Sequence, residues 1–274
     1  MKQDRPTIST CYLVGNPVSH SISPLIHNTG FQYLELPFVY DAHALEENEL
    51  EAFLATLDGT AIVGMNVTLP HKQAVMAYVD ELSDTASAVG AVNVLYKRDG
   101  RLVGENTDVA GFLDPLQNAN LEEPKVLILG SGGAARAVAY AASHHLSASS
   151  VVIAARNEAA ARAISQATHY CTWNERHEAA QDADLVVNAT PIGLYPQTKR
   201  SPLAEDHEWT TNQTYYDLIY NPDTTSAMKR ALECGASVVG GLPMLIAQAA
   251  VAFKIWTDHE MPVDAVRKAL RESL

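Results

Sequence analysis

The sequence predicts an α/β fold arranged as two domains. Short β-prone apolar segments alternate with helical segments along the 274 residues, and this alternation is typical of α/β folds. The stretch Leu121-Glu122-Glu123-Pro124 interrupts it, as polar linkers that contain proline often do between domains. We therefore predict one α/β domain over residues 1–120 and a second over residues 121–240.

In the first domain, alternating and β-branched residues predict four strands and a hairpin partner, over residues 8–14, 38–42, 61–67, 91–96 and 101–104, with the hairpin turn at 98–100. Helices are predicted from Ser23 towards Leu34, over residues 45–57, from about Pro70, and through Leu116. Thr107 or Asp108 is the expected N-cap of the helix that ends at Leu116.

Polar side chains cluster in the loop after the first strand, where His20, Ser21 and Ser23 lie within four residues. Because Ser23 precedes Pro24, an N-cap is the favoured role for its hydroxyl. The alternative is a ligand contact, since polar ligands bind at strand-to-helix loops.

A glycine-rich turn follows the first strand of the second domain. Residues 126–129 run into Gly130-Ser131-Gly132-Gly133-Ala134-Ala135 and then into an alanine-rich helix. Gly130 and Gly132 allow a tight turn close to a pyrophosphate, and Ala135 lets the helix pack on the strand. The helix N-terminus attracts the anion. The turn favours a dinucleotide site, although similar turns occur without a nucleotide.

Six strands are predicted in the second domain, and six parallel strands make a complete Rossmann-like, doubly wound sheet. They cover residues 126–129, 151–155, a short segment near Tyr170, 185–189, 215–218 and 236–239, with helices to about residue 145 and from residue 158. Arg156 follows the second strand, where NAD-binding folds carry an acidic residue. An arginine there favours the 2′-phosphate of NADP, and the alternative is an ordinary surface arginine.

The last long helix follows Gly240-Gly241-Leu242-Pro243-Met244 and runs to Trp256. It is apolar on nearly every face apart from Gln248 and Lys254, so we expect it to be buried. A buried Gln248 requires either a structural hydrogen bond or a ligand. A final helix is predicted over residues 263–270.

Charge and residue usage exclude several kinds of partner. The formal net charge of −13 repels nucleic acid and anionic membranes, so we predict neither as a partner. No run reaches the ~18 apolar residues of a membrane span. No apolar run follows Lys2, Asp4 and Arg5, so no signal peptide is expected.

The cysteines and histidines predict neither a disulfide framework nor a metal site. Cys11, Cys171 and Cys234 are far apart and form no CxxC pair, which fits a reducing, cytoplasmic location. The 10 histidines show no ligand spacing, so no metal is expected.

Lys72 is predicted in the first turn of a helix, where a cation opposes the helix dipole. Most lysines are solvated surface groups, and that is the alternative role. A nucleotide domain beside loops that offer hydroxyls, an amide, a lysine and a carboxylate suits hydride transfer to a small polyhydroxylated carbonyl compound.

Eight sequence blocks together identify a family. They are Gly15-Asn16-Pro17 with His20 to Pro24, Asn66-Val67-Thr68 with Pro70 and Lys72, Gly90-Ala91-Val92-Asn93, Asn106-Thr107-Asp108, Gly130 to Ala135, Asn188 to Gly193, Asp217 to Pro222, and Met244-Leu245 with Gln248. From Tyr12 to the last helix the chain resembles shikimate dehydrogenases, the NADP-dependent oxidoreductases of aromatic amino-acid biosynthesis.

The resemblance implies residue roles. Shikimate or 3-dehydroshikimate would be bound by Ser21, Ser23, Thr68, Lys72, Asn93, Asp108, Tyr220 and Gln248, with Lys72 and Asp108 catalytic. NADP would be bound by Gly130, Ser131, Gly132, Gly133, Ala134, Arg156, Thr190, Leu218 and Gly241. The resemblance further implies that residues 241–274 complete the first, substrate-binding domain. The sequence does not give the oligomeric state, and a homodimer is left open.

One departure from the family concerns the cofactor. The family carries a second basic residue four positions after the arginine, where this chain has Ala160, and Arg162 lies near. Arg156 alone therefore favours NADP less strongly than two basic residues would. The alternatives are a quinate/shikimate dehydrogenase that uses NAD or NADP, and a catalytically silent nucleotide-binding paralogue. Paired Ser21 and Ser23 favour shikimate, and intact Lys72 and Asp108 oppose the silent paralogue.

Overall fold

The computed structural model describes residues 8–57, 61–164, 166–167 and 169–273. The N-terminal residues on which the signal-peptide prediction depends, Lys2, Asp4 and Arg5, lie outside this part of the chain. Among the described residues, no helix is both long and apolar enough to cross a membrane. The same residues contain no group of three or more His, Cys, Asp or Glu side chains arranged to hold a metal ion.

The chain divides into two compact units. Unit 1 contains the residues up to Thr107 and those from Gln248 onward, and unit 2 contains Asp108–Ala247. The first division falls before the stretch 121–124 because helix α4 (Asp108–Leu113) packs on helix α5 (Gly133–His144) of unit 2. The second division falls within helix α9 (Gly241–Thr257), whereas the sequence prediction placed the domain boundary before this helix.

Unit 1 contains a mixed six-stranded sheet in the order β2-β1-β3-β5-β6-β4. β1 pairs with β2 and β3 in parallel, β5 pairs with β3 and β6 antiparallel, and β4 pairs with β6 in parallel. The strands are β1 (Ser9–Gly15), β2 (Phe38–Ala44), β3 (Ile62–Val67), β4 (Glu81–Leu82), β5 (Val94–Arg98) and β6 (Arg101–Glu105). The predicted strands are confirmed, and the two-residue β4, which is too short to show a periodic pattern, was not predicted.

The predicted hairpin between β5 and β6 is confirmed. Its turn has Asp99 at φ 52° and Gly100 at φ 77°. Positive φ at both central residues is the type I′ geometry, whose twist matches that of the flanking strands. The Asp-Gly dipeptide therefore sets the register of this edge of the sheet.

The helix predicted over residues 45–57 is shorter in the structure, the final helix is longer than the predicted 263–270, and the helix at Asp84–Val89 was not predicted. The helices of unit 1 are α1 (Ser23–Tyr33), α2 (Leu50–Ala55), α3 (Asp84–Val89), α9 from Gln248 onward and α10 (Val263–Ser273), with 3-10 helices at Glu47–Glu49 and Ala74–Tyr78. The helix expected from about Pro70 is instead a turn that leads into the second of these 3-10 helices. Lys72 consequently lies in the turn, and the prediction that it occupies the first turn of a helix is wrong.

An aromatic cluster joins α1 and α9 to the sheet of unit 1. The His27 ring stacks on Tyr40 with centroids 4.3 Å apart, and Phe31 stacks on Phe253 at 5.0 Å. Trp256 Nε1 donates a hydrogen bond of 3.2 Å to Leu95 O. Burial lowers the pKa of His27 to about 3, so this ring is neutral and serves as a core residue.

Unit 2 contains a six-stranded sheet in the order β12-β11-β10-β7-β8-β9, with every pair parallel. Its strands are β7 (Lys125–Leu129), β8 (Ser150–Ala155), β9 (His169–Thr172), β10 (Leu185–Asn188), β11 (Thr214–Asp217) and β12 (Ser237–Val239). The predicted doubly wound sheet is confirmed. Its strand order reverses between β7 and β10, and ligands of such sheets bind at this reversal.

The helices of unit 2 precede, connect and follow these strands. They are α4, α5, α6 (Glu158–Arg162), α7 (Arg176–Asp182), α8 (Ser226–Glu233) and the start of α9, with a 3-10 helix at Asp114–Leu116. The helix predicted through Leu116 changes to 3-10 geometry at its end, where Pro115 supplies no N–H for an α-helical hydrogen bond.

Candidate active site

The two serines of the first loop are in contact. Ser21 Oγ donates to Ser23 Oγ at 3.1 Å and accepts from Ser23 N at 3.2 Å. Ser23 is the first residue of α1, Ile22 stands at the N-cap, and no side chain caps this helix. The favoured prediction that Ser23 caps the helix is therefore wrong, because a residue already in helical conformation cannot cap. The two hydroxyls remain together at the end of β1.

A buried amide cluster forms the centre of the candidate site in unit 1. Asn93 Nδ2 donates to Thr107 Oγ1 at 3.0 Å and to Gln248 Oε1 at 3.4 Å. Thr107 N donates to Asn93 Oδ1 at 2.7 Å. The polar partners that a buried Gln248 requires are therefore present, and they come from segments far apart in the sequence.

Two further side chains, which sequence reasoning did not assign, extend this amide cluster. Tyr40 OH donates to Asn66 Oδ1 at 2.7 Å, and Asn66 Nδ2 donates to Asn93 O at 3.3 Å. Asn66 lies inside β3 and is buried. An asparagine inside an otherwise apolar strand was the available signal, because such a group is kept only with partners.

Thr68 and Lys72 lie in the segment that follows β3. Thr68 N donates to Val14 O at 2.9 Å, which holds this segment against β1. Lys72 is half-buried, and its carbonyl oxygen accepts from Val92 N at 2.7 Å. The backbone of Lys72 is thus bonded to the residue directly before Asn93.

Thr107 and Asp108 follow β6, and both are buried. Thr107 precedes α4, as an N-cap does, and Asp108 is the first residue of that helix. A carboxylate in the first turn of a helix is stabilised by the helix dipole. Asp108 is bound covalently to Thr107, which itself belongs to the amide cluster.

The glycine turn of unit 2 has the geometry of a phosphate-binding turn. Gly130 has φ +113°, and a Cβ there would lie 3.0 Å from Ala189 O and 3.1 Å from Thr190 Cγ2. Gly132 stands at the N-cap of α5, no side chain caps this helix, and a Cβ on Gly132 would meet nothing within 4 Å. The first N–H groups of α5 are therefore open to an anion.

The two arginines near the end of β8 differ in their contacts. Arg162 Nε lies 2.7 Å from Glu158 Oε1, and its guanidinium lies 5.2 Å from the centre of the Tyr170 ring. Arg156 is exposed, and within the described part of the chain it makes no hydrogen bond or ion pair. Arg156 is the arginine better able to bind a phosphate.

The remaining residues assigned to the cofactor follow strands β10, β11 and β12. Thr190 Oγ1 donates to Asn188 Oδ1 at 2.6 Å, and Leu218 N donates to Asn188 O at 3.1 Å. A Cβ on Gly241 would lie 2.3 Å from Leu218 O, so this position requires glycine. Tyr220 follows β11 in the same unit and is half-buried. Together with the glycine turn, this edge of the sheet fits a dinucleotide.

Three family models match the chain. Residues 13–95 match the shikimate dehydrogenase substrate binding domain, and residues 241–271 match the shikimate 5'-dehydrogenase C-terminal domain. Residues 125–208 match a model described as NADP oxidoreductase, coenzyme F420-dependent. The first segment lies in unit 1, the second lies mostly in unit 1, and the third lies in unit 2.

Curated and solved relatives are similar over nearly the whole chain. The NADP(+) shikimate dehydrogenase of Salinibacter ruber is 40% identical, covering 94% of this chain and 95% of the relative. A shikimate 5-dehydrogenase of Thermus thermophilus, solved with NADP(H) and shikimate, is 33% identical over 97% of this chain and 100% of its own, with a TM-score of 0.86. The enzyme of Listeria monocytogenes, solved with shikimate and NAD, is 29% identical over 98% and 99%, also with a TM-score of 0.86. The resemblance predicted from the sequence blocks is confirmed, and the chain belongs to the shikimate dehydrogenase family.

Proposed function

We propose that this chain catalyses the reversible, NADP-dependent reduction of 3-dehydroshikimate to shikimate. The observation that carries the proposal is the buried amide cluster of Asn93, Thr107 and Gln248, in a chain 40% identical to an NADP(+) shikimate dehydrogenase. Amides and hydroxyls held in fixed positions can recognise a ring that carries several hydroxyl groups.

Substrate binding is assigned to residues that offer hydroxyl, amide or charged groups. The paired hydroxyls of Ser21 and Ser23 can each donate and accept a hydrogen bond. Asn93 is held by its hydrogen bonds to Thr107 and contacts Gln248, so less ordering of these side chains is needed when substrate binds. The complete proposed set is Ser21, Ser23, Thr68, Lys72, Asn93, Asp108, Tyr220 and Gln248.

Lys72 and Asp108 are the proposed catalytic residues. Hydride addition to a ketone builds negative charge on its oxygen, which the Lys72 ammonium can stabilise and protonate. Asp108 can accept a hydrogen bond from a substrate hydroxyl and orient the lysine. Lys72 bonds through its carbonyl to Val92, and Asp108 follows Thr107. The neighbours Asn93 and Thr107 hydrogen bond to each other, which supports assigning the two residues to one site.

NADP is the proposed cofactor, and when bound it supplies or accepts the hydride. Gly130, Ser131, Gly132, Gly133 and Ala134 would hold its pyrophosphate at the N-terminus of α5. Arg156 would bind the 2′-phosphate, and Thr190, Leu218 and Gly241 would border the bound molecule. Six of the eight proposed substrate residues belong to unit 1, Asp108 and Tyr220 belong to unit 2, and the proposed cofactor residues belong to unit 2.

Assembly and location are also proposals. A homodimer would appear as twice the 29.6 kDa chain mass in light scattering. Cys11, Cys171 and Cys234 are free thiols, which supports a reducing compartment such as the cytoplasm.

Initial rates with shikimate and with quinate, each against NADP and NAD, test the proposed reaction. We expect kcat/KM to be highest for the pair shikimate and NADP. If quinate is oxidised as efficiently as shikimate, or NAD serves better than NADP, the quinate/shikimate alternative takes first place. Ala160, at the position of the family's second basic residue, is the observation that favours that alternative. If neither shikimate nor quinate is oxidised, the catalytically silent paralogue is the remaining alternative.

Replacing Arg156 by alanine is expected to weaken NADP about tenfold to a hundredfold and to leave NAD nearly unchanged. A charge-assisted hydrogen bond contributes about 1.5–3 kcal/mol, and NAD carries no phosphate at that point. The measurement is KM for both cofactors at saturating shikimate.

Arg162→Ala is the matched control for Arg156→Ala. This arginine is already paired with Glu158, so its removal should change the KM for NADP by less than about threefold. Equal losses for NADP and NAD in Arg156→Ala would show that Arg156 shapes the pocket without reading the phosphate.

A further inference from the structure

The buried carboxylate of Asp217 lies at the end of β11 in unit 2, and it is fully enclosed. Oδ1 accepts from Asn188 Nδ2 at 3.0 Å and from Ile219 N at 3.1 Å. Oδ2 accepts from Tyr215 OH at 3.0 Å and from Thr225 Oγ1 at 2.8 Å. Burial of a carboxylate is costly unless it is hydrogen bonded, and four donors offset that cost here.

Asp217 is one of three groups that fix which way the Asn188 amide faces, together with the Ile192 carbonyl and the Thr190 N–H. An ionised carboxylate only accepts hydrogen bonds, so Asn188 must present its Nδ2 to it. The opposite end, Oδ1, then accepts from Thr190 N at 3.1 Å and from Thr190 Oγ1 at 2.6 Å. With the amide reversed, Asn188 Nδ2 would face the Thr190 N–H, and Oδ1 would face the carboxylate.

The segment held by Asn188 borders the glycine turn. Asn188 Nδ2 also donates to Ile192 O at 3.2 Å, and Thr190 Oγ1 accepts from Ile192 N at 3.1 Å. A Cβ on Gly130 would lie only 3.0 Å from Ala189 O. Even a small displacement of residues 189–192 would therefore change the space beside the glycine turn.

We propose that Asp217 is a positioning residue for the cofactor: through Asn188 it holds residues 189–192 against the glycine turn. The proposal rests on the proposed use of NADP by this chain. Asp217 acts through another side chain, so its effect should appear in cofactor affinity and in the order of the segment 189–192.

The test replaces Asp217 by asparagine. The replacement amide is neutral and has one acceptor oxygen where the carboxylate has two, so the hydrogen bond that anchors Asn188 Nδ2 is weakened. NADP should then bind at least about tenfold more weakly, measured by calorimetry without substrate. Hydrogen exchange at the amides of Thr190 and Ile192 should become faster. The KM for shikimate should stay within about threefold, because that ligand is assigned to other residues.

Two matched variants separate positioning from general stability. Tyr215→Phe removes a donor to Oδ2 and leaves the bond between Asn188 and Oδ1 in place, so NADP affinity and exchange at Thr190 should remain within about twofold. Thr225→Val removes the other donor to Oδ2 and the N-cap of α8, and it also leaves the bond between Asn188 and Oδ1 in place. It should lower the melting temperature while NADP affinity stays within about twofold, whereas a loss of affinity caused by lowered stability alone would appear in this variant too.

Folded Asp217→Asn with wild-type NADP affinity and wild-type exchange would overturn the proposal, and so would an equal loss of affinity in Tyr215→Phe. If Asp217→Asn does not fold, Asn188→Ala removes the side chain through which Asp217 would act. Exchange at Thr190 must then rise and NADP must weaken at least about tenfold, and wild-type values would overturn the proposal. Because calorimetry needs no turnover, these outcomes are distinguishable from a failure of the proposed reaction with shikimate.

Discussion

Lys72→Ala is expected to lower kcat by about two to four orders of magnitude while KM for shikimate stays within roughly tenfold. The substitution removes the proposed proton donor, and the hydroxyl and amide groups of the amide cluster and the paired serines remain. Steady-state rates in both directions with NADP and NADPH give the two parameters. The fold should be retained, because Lys72 bonds to Val92 through its backbone carbonyl.

Lys268→Ala is the control for Lys72→Ala. Lys268 is an exposed lysine of the same unit, at 4.0 Å from Glu272, and exposed pairs contribute little to stability. Its kcat should equal that of the wild type. Wild-type turnover in Lys72→Ala would contradict the catalytic role and leave Lys72 as a solvated surface group.

Asp108→Asn is expected to lower kcat and also to raise KM for shikimate, each by at least about tenfold. The neutral amide keeps the size of the side chain but loses the charge that would orient Lys72, and one oxygen that accepts from a substrate hydroxyl becomes a donor. Initial rates over a range of shikimate concentrations separate the two effects. Affinity for NADP alone should not change.

Asp264→Asn is the control for the helix-terminal position of Asp108, since Asp264 is an acidic residue in the first turn of α10. Loss of a carboxylate from a first turn costs about 0.3–1 kcal/mol of stability. Both variants should therefore show a small fall in melting temperature, and only Asp108→Asn should lose activity. If Asp108→Asn lost stability alone, Asp108 would be a structural residue of α4.

The sheet of unit 2 could be predicted nearly completely from sequence. Its strands are apolar runs bounded by turns, and the glycine turn fixes which strand comes first, so the doubly wound order follows from general rules of connection. The Asp-Gly dipeptide at residues 99–100 identified the hairpin of unit 1 for a similar reason, because both residues accept positive φ.

The parts that could not be predicted depend on contacts between distant segments. Pro70 indicated a helix start, but the segment that contains Lys72 is held as a turn by Val92, which lies on another part of the chain. Ser23 next to Pro24 indicated a cap, although the hydroxyl of Ser21 takes the Ser23 N–H. Tyr40 and Asn66 became candidates only once β2 and β3 were placed in one sheet, because local patterns carry no information on such pairs.

Unit 1 is made of two stretches of chain that are synthesised at different times. Asn93 contacts Gln248 and Phe31 stacks on Phe253, and both of these partners lie in α9. They leave the ribosome only after the whole of Asp108–Ala247. At about 5–20 residues per second this delay is on the order of ten seconds. During it the nascent sheet lacks the helix that covers Phe31 and Tyr40, so its aromatic surface is open to chaperones. Unit 1, whose synthesis begins first, is thus completed last.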